Sequence, residues 1–438
     1  MAISHTRSVS RKKVSVVLMA IAALALLAGC SPSGAGSPVS TTGSAALPAD
    51  SDSKDFTIYW NAGHAYDIYQ KVIDDFDAAH GLTINWQKYQ WPDLNAKLAA
   101  DFQGGTAPDL VEVGSGAVAA DHGVNGHAMN LNQLLASDNT INFPADYQAA
   151  AVDAVTFNGA TYSIPLHMTA NGILYYNKTL LANAGFTEPP KTWDEMLTIA
   201  RAVTQGDTYG FALNSDATYV DPWLLQAGVT RSDASKGQFM VPEESATATM
   251  QFLQDLVFKY KVSPIPVASS DYAGPQKLFS AGKAAMFVSG PWDVLPVKQA
   301  GGVDWGIAPP LKNKVQASSL AGSVLMIPEK SPHPQLAWQL MAKLTALDVE
   351  LAATAQAGIS MPRKSWASSA AVTSDPNLSV IAQAVAVAQP PDSSLAATGA
   401  SAAVASLWST AYQSAIIQNK PVADALATYR TQAQAAIK

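Results

Sequence analysis

Tryptophan, histidine and amide side chains gather at a few breaks in this sequence that glycine or proline punctuates. Trp60, Asn61 and His64 fall in YWNAGH, Ser115 in GSG, His167 and Asn171 in HMTAN, Asp221 and Trp223 in VDPW, and Trp292 with Asp293 in GPWD. Flat rings beside hydrogen-bonding groups suit a polyhydroxylated molecule, whose CH faces need platforms and whose hydroxyls need paired partners. Bond-breaking chemistry has little support, since the chain lacks a G-x-S-x-G elbow, an H-E-x-x-H helix and a G-x-x-x-x-G-K loop. A carboxylate pair for glycoside hydrolysis leaves no local pattern, so a glycoside-active enzyme outside the cytoplasm stands as the alternative. The run GSGAVA after an apolar strand matches a dinucleotide fingerprint. However, the turn-rich ADHGVNGHAMNLNQLL follows where a second strand ending in an acid is needed, so it reads as a glycine turn and no cofactor is expected. Cys30 is the single cysteine, which excludes disulfides and cysteine-rich metal sites within one chain, and no metal site is expected.

Each candidate has a second reading. A Gly-Pro turn projects Trp292 from an irregular segment, which favours a platform over core packing. Trp60, at a strand end, either closes the core or offers a face. Trp193 and Trp338 lie on periodic apolar stripes and are assigned to packing. His64 and His167 each read equally as a contact or as a satisfied polar group. Asp293 and Arg363 either meet hydroxyls or bridge two parts of the fold.

The elements that must hold these residues alternate between strand and helix. FTIYW (56–60) reads as a first strand, 67–80 as a helix stopped by Gly81, 82–87 as a second strand, 92–102 as a helix and 110–113 as a third strand. Ligands in open α/β sheets bind beyond the carboxyl ends of strands, so the loops 61–64 and 114–115 should share one cleft. In the central stretch YSIPLHMTANGILYYNKTLLANAGFTEPPKTWDEM, 162–166 reads as a short strand containing Pro165, 171–177 as another, and 178–184 as a helix ended by Gly185. Thr192 then caps the next helix, with Glu195 in capping-box register. Beyond it come a strand at 210–214, a helix over 220–226 with Asp221 as cap, a helix over 243–260, and strands over 281–289. A strand at 324–327 returns to the first half, followed by a helix from Pro334, a loop-rich stretch at 358–375, and two helices (402–418, 422–437) broken at Asn419-Lys420-Pro421.

The chain has 438 residues, 48% of them hydrophobic, enough for two cores. Arg7, Arg11, Lys12 and Lys13 precede an uncharged apolar run at 14–27 that ends in Leu27-Ala28-Gly29-Cys30, a secretory leader rather than a span of about 20 apolar residues plus flanks. Loss of residues 1–29 removes those four cations and no acid, taking the formal charge from −7 to −11. So acidic a chain is not expected to bind nucleic acid. Ser, Gly, Pro, Thr and Ala dominate 31–52, which reads as a flexible tether.

Taken in order, the proline of SIPLH, then YYNK, PPKTWDE, LFSAGKAAMFVSGPWDV (278–294), WGIAPPL (305–311), SLAGSVLMIPEKSPHPQLAWQLMAKLTA (319–346) and GISMPRK (358–364) closely resemble the extracellular solute-binding proteins of ATP-driven importers. The resemblance is to their large sugar-binding family, typified by maltose-binding protein, and LAGC resembles the lipoprotein box in which the cysteine is acylated. It implies an α/β, two-lobed periplasmic-binding-protein-like fold, with a hinge of several crossing segments and a sugar or oligosaccharide in an interlobe cleft. The chain would be a non-enzymatic monomer, lipid-anchored through Cys30 on the outer face of the cell membrane and delivering ligand to permease subunits. A receptor used for sensing remains the other reading. The organisation expected is a signal peptide at 1–29, a tether at 30–54, a first lobe from 55–168 plus 324–389, and a second from 169–323 plus 390–438. Crossings are expected near 167–171, 319–323 and 389–394. By the same resemblance, His64 stands where the family has a charged sugar ligand, Asp221 and Trp223 where its second lobe contributes an acid and an aromatic, and Trp292 at its GPW tryptophan. Ser115, Asn171, Gly322, Ser323 and Arg363 complete the candidate set. The family's acidic, arginine-bearing loop after the third strand is replaced here by Gly114-Ser115-Gly116, which argues against a maltose-like ligand.

Overall fold

The computed structural model describes residues 48–269, 271–389, 393–396 and 398–437; Cys30, the expected leader and most of the expected tether lie outside them. The first lobe is built on a five-stranded sheet ordered Thr83–Tyr89, Asp55–Asn61, Leu110–Val113, Val324–Met326, Ile164–Pro165. The first three strands are parallel and the last two antiparallel. Helices cover both faces, as parallel strands require. Phe56, Ile58 and Trp60 face the helix Asp67–His80 with its buried Tyr69, Ile73 and Phe76, while Tyr59, Val111 and Val113 face Leu94 and Leu98 of the helix Trp91–Gly104. Gly81, at φ +59°, ends the first helix in the left-handed region where a side chain is strained. Pro165 occupies the sheet edge, the position where its missing N–H breaks no ladder.

A three-stranded antiparallel sheet, Met286–Ser289, Ile173–Asn177 and Trp305–Ala308, centres the second lobe. Leu174, Met286 and Val288 face a core shared with Trp193, Trp223, Trp408, Tyr412 and Tyr429, to which the two last helices Ser401–Ile416 and Val422–Ala436 contribute. Ile173, Tyr175, Phe287 and Ile307 alternate to the opposite face and join the apolar cluster of the first lobe. The segment 210–214, expected as a strand, forms a single bridge, Ala212 to Phe287, with Tyr209 just before it bridging Ala284. A hairpin of Thr230–Asp233 with Gln238–Val241 and the helices Leu347–Ala357 and Pro376–Ala386 add to the elements expected from sequence.

The three segments expected to cross between lobes hydrogen-bond into a sheet of their own. Ser318–Ala321 lies between Thr169–Asn171, antiparallel, and Ala388–Gln389, parallel. Gly172, at φ +137°, separates the first of these from the second-lobe strand that follows, and a side chain there would press on Ser318.

The described end of the expected tether is bound rather than free. Ser51 N–H donates to the Pro332 carbonyl at 2.9 Å, and Ser51 Oγ meets His333 Nε2 at 2.8 Å. His333 Nδ1 in turn lies 2.7 Å from Asp109 Oδ1, at the entrance to the third strand. The polar side chains that make this stretch look solvated in sequence find partners on the first lobe.

Candidate functional site

Glu112 is the only acid in the buried strand LVEV, and it organises the loop after the neighbouring strand. Its Oε2 accepts from the Asn61 N–H at 2.8 Å and its Oε1 lies 2.6 Å from His64 Nδ1. A carboxylate only accepts, so Nδ1 carries the proton and Nε2 is left as the imidazole's second hydrogen-bonding atom. Asn61 caps the short 3₁₀ turn Ala62–His64 through Gly63 N–H at 2.8 Å. Among the described residues its Nδ2 has no partner, and neither has the buried hydroxyl of Tyr66. Trp91, at the start of its helix, meets the His64 ring edge-on with centroids 5.7 Å apart.

The facing wall comes from the second lobe. Ser289 Oγ donates to Asp293 Oδ2 at 2.6 Å, and Trp292 Nε1 donates to the Tyr219 hydroxyl at 3.0 Å. The Trp292 ring folds back over Gly290, leaving no room there for a Cβ. Tyr219 stacks with Tyr272 at 6.4 Å and meets Trp292 edge-on at 6.2 Å. The walls meet where the Tyr272 hydroxyl sits over the missing side chain of Gly63. Burial pushes the Asp293 carboxyl up to about 7, against the opposing bond from Ser289.

Between the walls His167 bonds Tyr69 through Nε2 (2.8 Å) and Ser323 through Nδ1 (2.9 Å), with its ring 4.8 Å from that of His64. Burial lowers its pKa well below the usual imidazole value, and the neighbouring His64 adds to the effect. His167, Ser115, Pro165 and Gly322 line a small cavity beside the crossing strands. Ser115 caps the helix Gly116–Val124, its Oγ accepting from Val118 N–H at 3.3 Å. Asn171 Nδ2 donates to the Thr218 carbonyl at 3.2 Å, leaving Oδ1 unpartnered among the described residues. His64, Glu112 and His167 bring one ligating atom each to within 4.8 Å of one another, a set that could hold a cation. Both His167 nitrogens and His64 Nδ1 are hydrogen-bonded, and coordination at any of them would replace one of those bonds.

Four candidates belong elsewhere. Trp60 is fully buried against Tyr69 and Trp86, and its Nε1 donates to the His64 carbonyl at 3.0 Å, so it supports the loop from below instead of offering a face. Trp223 packs among Trp193, Phe211 and Phe252 in the second core, because its helix turns the ring inward. Arg363 lies on Tyr147 and donates to Asp146 and to the Thr345 and Ile141 carbonyls, all its reach being taken up inside the first lobe. Asp221 is the first residue of its helix, not its cap, and faces Arg231 at 3.5 Å; burial raises it to about 6.

Sequence reasoning missed Tyr66, Trp91, Glu112, Tyr219 and Tyr272. Glu112 alone carried a local signal, since a lone acid within a four-residue apolar strand demands a buried partner. The tyrosines and Trp91 sit in unremarkable segments that only folding brings to one place.

Residues 71–380 match the family model described as bacterial extracellular solute-binding protein. A galactooligosaccharide-binding protein of Bacillus subtilis is 23% identical over 323 residues, 71% of each chain. Among solved structures, a solute-binding protein of an ABC transporter from Thermotoga lettingae, bound with alpha-D-tagatose, has a TM-score of 0.78 at 23% identity, covering 88% of this chain and all of that one. The GacH receptor of Streptomyces glaucescens, solved unliganded and with acarbose, has a TM-score of 0.77 at 22% identity, covering 87% and 98%. These structures share the two-lobed fold described above.

Proposed function

Because the chain belongs to the bacterial extracellular solute-binding protein family, we propose that it captures a sugar or oligosaccharide in the cleft between its lobes and delivers it to the permease of an ABC importer. The mature protein is a monomer tethered to the outer face of the membrane by an acylated Cys30. The observation that carries this reading is the pairing of two unlike walls. Asn61, His64 and Tyr66 present hydrogen-bonding atoms from the first lobe, and Tyr219, Tyr272 and Trp292 present rings from the second. A ligand touching both walls favours the closed arrangement, with the three-stranded crossing sheet as hinge. Galactooligosaccharide, tagatose and acarbose, the ligands of the three similar proteins, are polyhydroxylated and suit such a surface.

A thermal-shift screen of mono- and oligosaccharides tests the reading, since a ligand at about 100 times its dissociation constant adds about 2.7 kcal/mol. We expect a sugar that stabilises the protein, is recovered chemically unchanged and shrinks the radius of gyration in small-angle scattering. A cleaved product would favour the enzyme, and a bound sugar with no compaction would remove the closing mechanism.

A further inference from the structure

Asp293 belongs to the second wall, and among the described residues no cation pairs with its carboxyl, which burial pushes up to about 7 so that it is only partly ionised in the ligand-free protein near neutral pH. It is buried, and its Oδ2 takes the hydroxyl of Ser289. The other charge that acts on it is that of Asp271, itself paired with Lys277. Across the cleft the Tyr66 hydroxyl is buried and without a hydrogen-bond partner among the described residues; burial holds its pKa well above the ordinary phenol value, with smaller effects from Tyr272, Glu112 and Asp293 in that order. The rings of Tyr219, Tyr272 and Trp292 form a stacked and edge-on cluster, with Trp292 leading directly into Asp293 and the Tyr272 hydroxyl reaching Gly63 of the first lobe. Glu112, by contrast, is already matched by His64 and the Asn61 amide.

An ammonium group has three donors and no acceptor, and it is drawn both to a desolvated carboxylate and to aromatic faces. A phosphate or a sugar acid would meet like charge here. We propose that the ligand is a cationic sugar, an amino sugar or aminocyclitol, whose ammonium sits between the Asp293 carboxylate, the Tyr66 hydroxyl and the rings of Tyr219, Tyr272 and Trp292. Its remaining hydroxyls meet Asn61 Nδ2 and His64 Nε2. This assignment rests on the interlobe cleft being the sugar site.

Matched pairs test it by titration calorimetry near neutral pH: glucosamine against glucose, galactosamine against galactose, and glucosamine oligomers against their N-acetylated forms. We expect the amine to bind about tenfold to a hundredfold more tightly than its neutral partner, the range of a charge-assisted hydrogen bond. In Asp293→Asn, which keeps the side chain's shape, that ratio should collapse towards one. Equal or tighter binding of the neutral partners overturns the charge assignment and leaves the sugar receptor standing. A preference for amines that survives Asp293→Asn overturns the role of Asp293. Failure of every amine and every neutral sugar to bind removes the receptor reading and this inference together.

Discussion

His167 Nδ1 meets Ser323 Oγ at 2.9 Å, a buried bond between the first crossing segment and the second. The two residues lie 156 positions apart, and the backbone repeats the link, with the N–H groups of Leu166 and His167 both donating to the Ser323 carbonyl. Gly322 must lack a side chain beside them, since at φ +134° a Cβ would collide with the His167 carbonyl. Beside the crossing sheet, a histidine, a serine and a glycine thus each satisfy a separate geometric demand at one point.

Ser323→Ala should therefore destabilise the ligand-free protein by about 1 to 3 kcal/mol, because Nδ1 of a buried imidazole is left without its partner. Urea unfolding followed by tryptophan fluorescence measures this. An unchanged midpoint would show that the bond contributes nothing at the crossing.

Trp292 and Trp223 should separate cleanly. Trp292 is half-buried over Gly290, so Trp292→Ala should weaken sugar binding more than tenfold, at about 25 cal/mol per Å² over about half a ring, with a small change in melting temperature. Trp223→Ala empties a core position and should lower stability by about 3 to 5 kcal/mol. Calorimetry and thermal melts on both variants decide the matter, and the reverse pattern would exchange their roles.

Asp293 links the cleft to pH. Its folded carboxyl titrates at about 7, above the unfolded value of 3.8, so between those two values the native state holds a proton that the unfolded chain has released. Stability from this group is greatest at low pH and falls as pH rises from about 4 to 7, by about 1.4 kcal/mol for each pH unit in that window. Asp293→Asn should therefore raise the melting temperature of the ligand-free protein at pH 8 more than at pH 5. Equal effects at the two pH values would mean that Asp293 is ionised throughout.

The proposed anchoring depends on Cys30. In the native host, Cys30→Ser should move the protein from the membrane fraction to the soluble fraction, since the apolar run at 14–27 is short and is closely followed by the cysteine. Membrane association as complete as in the parent would remove the lipoprotein reading.

Much of this protein is determined locally. Apolar runs bounded by glycine set the helix Asp67–His80 and the strand Leu110–Val113, and Thr192 caps its helix by accepting from Glu195 N–H, because period, cap and stop signal are properties of neighbouring residues. The motif order from SIPLH to GISMPRK carried the two-lobed fold for a similar reason, each motif being a short segment with its own geometry. The site depended on more. Trp60, Trp223 and Arg363 have the right chemistry on the right segments, yet the direction of each side chain is settled by what packs beneath it: Tyr69, the second-lobe aromatics, and the Asp146 carboxylate. Gly63 and Tyr272 come from different lobes, more than 200 positions apart in the chain, and only the tertiary fold sets the Tyr272 hydroxyl over that glycine. Side-chain direction and lobe contact are long-range consequences of packing, and no local pattern encodes them.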